Sequence, residues 1–211
     1  MSNYYGFAED QTKSTFNPFP VGEGVEDVEI TGAKYTSAEN GSWEAIDISY
    51  TRAGTTLNDK MFAVKREGIK PRSFIPDDTE EDAYEDQIRT YNTQLLHIAT
   101  KLDLTREDLA GCNATKGFAR FASDYCEMIN KHLNGQKLYL KTTKDKNGYP
   151  KVCRNTYNTT PFVQRMDSGP CELKYTEKEL VTLEDNKAPK NGVVDSQKSS
   201  GVTSKWTSKS V

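Results

Sequence analysis

The chain of 211 residues holds 28 lysines and arginines against 31 aspartates and glutamates, a net charge of −3, with 35% apolar residues and a mean hydropathy of −0.78. That length suits one domain of roughly 150 residues with tails. No apolar run approaches the roughly 18 residues of a spanning helix, and Met1-Ser2-Asn3-Tyr4-Tyr5-Gly6 lacks the basic-then-apolar plan of a signal peptide, so the expectation is a soluble protein that stays where it is made.

Residues 1–24 read as an amino-terminal arm, with Phe7, Phe16 and Phe19 spread among polar residues and Pro18, Pro20, Gly22 and Gly24 as punctuation. From Val25 the pattern turns extended. Val28 and Ile30 alternate with Asp27, Glu29 and Thr31, and the run continues to Tyr35. Asn40-Gly41 supplies a tight reversal into the clearest strand, Trp43 to Arg52, where Ile46, Ile48 and Tyr50 share one face and Trp43, Ala45, Asp47, Ser49 and Thr51 the other. After Ala53-Gly54 a third strand is expected from about Thr55 to Arg66, completing an antiparallel meander.

A helical block follows, over about residues 77–134. Thr79-Glu80-Glu81-Asp82 is a capping box, and Ile88, Tyr91, Leu95, Ile98 and Leu102 form one apolar stripe. Thr105 to Asp108 is a second box, opening a short helix that Gly111 closes. Phe118, Phe121, Tyr125, Met128, Ile129 and Leu133 make a further stripe, with Ser123 as an N-cap inside it and Asn134-Gly135 as the stop. Strand signals then return over Lys137 to Thr143, and Asp145-Lys146-Asn147-Gly148 turns the chain into Tyr149 to Tyr157. Pro161 to Met166 reads as a last short strand or an ordered crossing segment, and Thr176 to Leu180 as the start of a brief helix. Residues 186–211 read as a disordered basic tail, leaving 25–185 as the domain. Three meander strands, a helical block and a hairpin are the order of a five-stranded oligonucleotide/oligosaccharide-binding (OB-like) barrel with its helices between strands three and four. An α+β sheet with helices on one side fits the same string, and periodicity does not separate the two.

Cys112, Cys126, Cys153 and Cys171 are widely spaced, with no Cys-x-x-Cys pair and no nearby histidine pair, so reduced thiols and no metal are expected. There is no Gly-rich phosphate loop, no Gly-x-Ser-x-Gly elbow and no His-Glu-x-x-His, and His97 and His132 lie in helical patterns. A non-enzymatic protein without cofactors is therefore expected. Charge placement says more. Seven acids crowd into Asp77 to Asp86, which reads as a solvated helix start; without them the chain carries 28 cations against 24 anions. Lys60 to Arg72 carries +4 and Gln136 to Arg154 carries +5.

Aromatic rings lie among these cations. Lys137-Tyr139-Lys141 occupies the strand face opposite Leu138 and Leu140, and Trp43 lies opposite Ile46 and Ile48. Single-stranded nucleic acid asks for this combination, because cations track phosphates while rings stack on bases. The bland reading is that tyrosines favour strands and outer-face lysines confer solubility. The candidate nucleic-acid contacts are Trp43, Lys60, Phe62, Lys65, Arg66, Lys137, Tyr139, Lys141, Tyr149, Lys151, Arg154 and Tyr157.

The passages Gly24-Val25-Glu26 through Gly41-Ser42-Trp43-Glu44-Ala45-Ile46-Asp47-Ile48, Met61-Phe62-Ala63-Val64, and Ser123-Asp124-Tyr125-Cys126 to Asn134-Gly135-Gln136-Lys137-Leu138 resemble single-stranded DNA-binding proteins of tailed bacteriophages, including the crAss-like group. The resemblance spans roughly Phe16 to Met166 in short, degenerate motifs. It implies a barrel of the kind just described, single-stranded DNA as partner together with phage replication or recombination proteins, no membrane, and the cytoplasm of the bacterial host as location. One departure stands out: such proteins commonly end in an acidic tail, whereas the last 26 residues here carry five lysines against Asp195, with Trp206 beside Lys205. The rival expectations are a phage structural or packaged protein that uses the barrel for protein contacts, and a metal-dependent nuclease needing converging carboxylates.

Overall fold

The computed structural model describes residues 18–112, 117–154 and 159–185. The expected arm, as far as residue 17, and the tail from 186 onward lie outside the described residues. The sequence's alternations become strands β1 (Gly22–Ser37), β2 (Glu44–Arg52), β3 (Thr55–Phe62), β4 (Leu138–Lys144), β5 (Pro150–Val152) and β6 (Val163–Arg165) of one antiparallel sheet. The strand order is β3-β2-β1-β4-β5, with β6 pairing β4 beside β5. β1 serves both halves. Its first part pairs with β4, from Gly22 opposite Thr142 to Val28 opposite Leu138, and its second part with β2, from Glu29 opposite Thr51 to Ser37 opposite Glu44. Register shifts at Gly22/Val25, Val25/Val28 and Ile30/Gly32 provide the bends, since each bulge adds local twist.

Between β3 and β4 lies the helical block, with α1 over Glu80–Thr100 and α2 over Phe118–Lys131. Both ends of the Thr79 capping box form: the Asp82 N–H donates to Thr79 Oγ1 at 3.1 Å and the Thr79 N–H to Asp82 Oδ2 at 3.0 Å. The Thr105 box forms likewise and opens a 3₁₀ turn at Asp108–Gly111. Tyr91, Leu95, Ile98 and Leu102 are buried as the stripe predicts, and α2 buries Ala122, Tyr125, Cys126 and Ile129. The helices cover the sheet face that carries Ile30, Ala33, Ile46, Ile48, Tyr50, Leu57 and Met61. Three polar contacts fix the docking: Tyr91 Oη donates to Met61 O (3.1 Å), Tyr125 Oη to Leu95 O (2.8 Å), and the Asn130 amide pairs with both backbone groups of Ala33 (2.8 Å each).

The molecule is thus a mixed α+β fold: one antiparallel sheet of six strands and three helices among the described residues. Among those residues no hydrogen-bonded ladder joins β3 to β5, so where an OB-like barrel is expected they show an open sheet. β5 does lie against β3, and Arg154, just beyond β5, donates to Asp59 Oδ2 and Lys60 O at 2.8 Å each. Several boundaries differ from expectation. β3 stops at Phe62 rather than Arg66, because Lys65 and Arg66 turn away to Ser42 O and Glu81. β5 spans Pro150–Val152 among the described residues, and Arg154 beyond it turns inward; the rest of the expected strand, residues 155–157, lies outside the described set. Ser123 is no N-cap; it sits mid-helix, and its hydroxyl donates to Ala119 O. The arm boundary also moves earlier in the chain: Phe19 is 1% exposed and Pro18 O accepts from Arg52, so the chain joins the core well before Val25.

The last described segment builds a second layer on the far face of β4. Its helix α3 (Glu177–Asp185) starts with Thr176 and Glu179 capping one another, and Leu173 ahead of the helix and Leu183 within it are buried. Tyr175 Oη donates to Thr142 O at 2.6 Å. The glycine at position 24 permits this approach, since a Cβ there would stand 2.3 Å from Cys171 Sγ.

Candidate nucleic-acid interface

Antiparallel register decides which side chains of β1, β2 and β3 share the face away from the helices. Opposite residues point to the same side, so Lys34, Asp47 and Lys60 form one row across the three strands, and Thr36, Ala45 and Phe62 the next. The tight β1–β2 turn then brings Trp43 over this face. In that turn Gly41 takes φ 68°, the Asn40 side chain accepts from the Ser42 N–H, and the Ala38 N–H donates to Trp43 O. Trp43 meets Phe62 edge-on with ring centroids 5.6 Å apart, and Lys60 Nζ lies 5.1 Å above the Trp43 ring. Phe62 is 53% exposed, so much of its ring faces solvent. Lys65 donates to Ser42 O, which adds a cation beside the same turn. Farther along, the face is lined by hydroxyls and amides, with Thr31, Thr51 and Thr56 in a chain and Ser49 donating to Asn58.

Asp47, in the middle of this face, was not singled out by the sequence. It is 3% exposed, its Oδ1 has no hydrogen-bond partner, and burial raises its pKa against the pull of Lys34 and Lys60. Thr36 Oγ1, one row away, is likewise buried and unpartnered. The only sequence signal was a carboxylate in the polar phase of a strand between Ile46 and Ile48; the two flanking lysines come from other strands and were invisible before the register was known.

The second basic stretch divides into exposed and buried parts. Tyr149, 69% exposed, and the exposed Lys146 and Lys151 stand on the β4–β5 hairpin, whose turn is held by Asp145 accepting from the Asn147 and Tyr149 N–H groups at 2.9 Å. Lys141 does not point into solvent as expected. It is 0% exposed, because the second layer covers that face, and its Nζ donates to both Glu179 oxygens (2.9 and 3.1 Å) and to Lys174 O. Tyr139, on the same face, is half-buried against Gly24 for the same reason. Lys137 is exposed but paired with Glu29 at 2.5 Å. Arg154 is turned into the core against Asp59, and Arg66 pairs with Glu81 and stacks 4.6 Å over Tyr84. Tyr157 lies outside the described residues. Of the twelve candidates, Trp43, Lys60, Phe62 and Lys65 therefore come together, and Tyr149 and Lys151 form a separate exposed group.

The acidic run is largely committed to the fold. Arg72 grips Asp78 (2.6 Å) and Asp86 (2.9 Å), and Asp82 serves the cap; these bonds hold Asp78 and Asp82 below the usual carboxylate range. All four cysteines are free, and burial pushes the Cys126 and Cys153 thiols up to about 12. Among the described residues no group of three or more His, Cys, Asp and Glu converges as a metal site. On the helical side a groove of about 800 Å³ lies between α1 and α2, lined by Tyr84, Ile88, Leu96, Arg106 and Phe121 among others. Compared with protein-family models, curated proteins and solved structures, the chain matches none.

Proposed function

We propose that this chain is a non-enzymatic, sequence-tolerant binder of single-stranded DNA, working in bacteriophage DNA replication or recombination in the host cytoplasm. The observation that carries the reading is the Trp43–Phe62 pair with Lys60 over the indole, on the β2–β3 face. Stacking on an aromatic ring contributes about 1–3 kcal/mol per base and does not depend on base identity. A lysine beside the rings neutralises the phosphate of the stacked nucleotide.

The architecture supports an OB-like origin for that face. The order β3-β2-β1-β4-β5, a long bent β1 shared by both halves, helices between β3 and β4, and β5 lying against β3 fit the arrangement of a partly open OB barrel. In such barrels the face of strands two and three, with the loops joining strands one to two and four to five, receives oligonucleotides. Trp43 ends the first loop and Tyr149 stands on the second.

A titration of intrinsic tryptophan fluorescence with oligo(dT) tests this. About four phosphate contacts predict a loss of affinity near fifty-fold between roughly 50 and 200 mM salt, since the slope for single strands is about 0.7 per contact. Trp43→Ala, followed with an end-labelled oligonucleotide, should weaken binding by about five- to 150-fold, one lost stack. No binding at low salt would overturn the proposal and favour a protein-contact role for the Trp43–Phe62 patch.

A further inference from the structure

Asp47 is an anomaly on its face. Buried side-chain oxygens nearly always have a partner, because stripping water from a carboxylate without replacing the hydrogen bond is costly. Asp47 Oδ1 has none, and neither Lys34 nor Lys60 comes within ion-pairing distance, although both lie directly across from it in the neighbouring strands. Thr36 Oγ1 repeats the pattern in the next row, the one that ends on Phe62, so two unpartnered polar atoms lie in adjacent rows of this face. The two lysines sit on either side at a Cα separation of about two strand spacings, roughly 9–10 Å.

Asp47 Oδ1 is covered in the free protein, so the contact requires the side chains over it to move aside as a nucleotide stacks its ring at Trp43–Phe62, sets its phosphates on these lysines and brings its base edge over β2. An ionised carboxylate can only accept hydrogen bonds. The edges that satisfy it carry amino groups: N4 of cytosine, N6 of adenine, and N1–H with N2 of guanine. Thymine offers an N3–H flanked by two carbonyl oxygens, which the carboxylate repels. The Thr36 hydroxyl can donate to a ring nitrogen or accept from an amine, so it adds a contact without deciding between bases.

We propose that Asp47 is a base-reading residue whose unpartnered oxygen accepts the exocyclic amino group of the base stacked at Trp43–Phe62, favouring cytosine, adenine and guanine over thymine. This rests on the DNA-binding reading and deepens it: the protein tolerates most sequences but disfavours thymine at one position of its footprint. Carboxylate-to-amine contacts are the established means by which aspartate and glutamate select cytosine in duplex grooves, and the unstacked bases of single strands expose the same groups.

The test compares oligo(dT) and oligo(dC) of equal length, about twelve nucleotides, at pH 8 and fixed salt, by anisotropy of an end label. The two pyrimidines have the same ring size, so the comparison isolates the edge. The wild-type protein should bind oligo(dC) about ten-fold more tightly than oligo(dT). Asp47→Asn keeps the shape and adds a donor that thymine O4 can accept, so the ratio should fall to about one. Equal affinities for the wild-type protein, or a ratio that survives in D47N, overturn the role of Asp47 while leaving DNA binding intact. Failure of the wild-type protein to bind either oligonucleotide overturns the DNA-binding reading, and this inference with it.

Discussion

Replacing Lys141 by methionine separates a structural lysine from a phosphate contact. The ammonium is 0% exposed, donates to Glu179 Oε2 at 2.9 Å, Glu179 Oε1 at 3.1 Å and Lys174 O at 3.1 Å, and lies 6.0 Å from the Tyr175 ring centroid. Methionine keeps the length of the stem, so the change removes the charge and its three bonds. Glu179, 8% exposed, retains the Thr176 N–H at 2.7 Å but loses its counter-ion. Breaking a buried pair from one side costs about 3–5 kcal/mol when the remaining charge stays trapped. Here Glu179 lies on a short terminal helix that can lift away, which places the expected loss at the lower end, about 3 kcal/mol. For a domain of this size that lowers Tm by about 6–12 °C. Hydrogen exchange should show the amides of Lys174 to Leu183 losing protection before the rest of the molecule. The double variant K141M/E179L should regain most of the loss, because an apolar pair of similar volume is tolerated at such sites. The salt dependence of oligo(dT) binding should be unchanged in K141M and reduced in Lys60→Ala. A K141M protein that melts within about 1 °C of wild type, or that loses salt dependence as Lys60→Ala does, refutes the reasoning.

Three further outcomes follow from the geometry. Arg154→Met should destabilise by about 3 kcal/mol in a thermal melt, since it strands Asp59 and unties β5 from Lys60 O; Asp59→Asn in the same chain should recover part of that. Gly24→Ala should cost about 1–3 kcal/mol through the 2.3 Å approach of its new Cβ to Cys171 Sγ, and adding Cys171→Ala should restore much of it; a neutral G24A would mean the chain near Cys171 does not pack on β1. His97 has a pKa lowered from 6.5, chiefly by burial and then by Lys101, and its Nδ1 has no partner. The unfolded state therefore binds the proton more readily, so His97 destabilises the fold as pH falls below about 6.5, and His97→Gln should remove that part of the loss between about pH 7 and pH 5 in melts across that range.

The order of elements and much of the core were legible in the sequence, because they depend on local periodicity. Alternation marked β1, β2 and β4, the Thr79 and Thr105 boxes marked their helix and turn starts, and the stripe Tyr91, Leu95, Ile98 and Leu102 is buried as its spacing requires. Period-two alternation also put Trp43 on the face opposite Ile46 and Ile48, where it meets Phe62. The same rule misled at Lys141 and Tyr139. Alternation assigns a face, but whether that face meets water depends on what else the chain lays over it, and there the segment through Glu179 covers it. Arg154 and Asp59 are 95 residues apart, and no local pattern distinguishes a cation bound for a buried partner from one bound for solvent.

Composition and local patterning by themselves determined that strands and helices occur together, the meander, the helical insertion and the presence of rings among cations, but not whether the sheet is a barrel. The tertiary structure alone decided which cations remain available and that Asp47 sits unpartnered between Lys34 and Lys60. The physical reason is that burial and pairing are properties of register and layering, and these are set by contacts between residues that the sequence holds far apart.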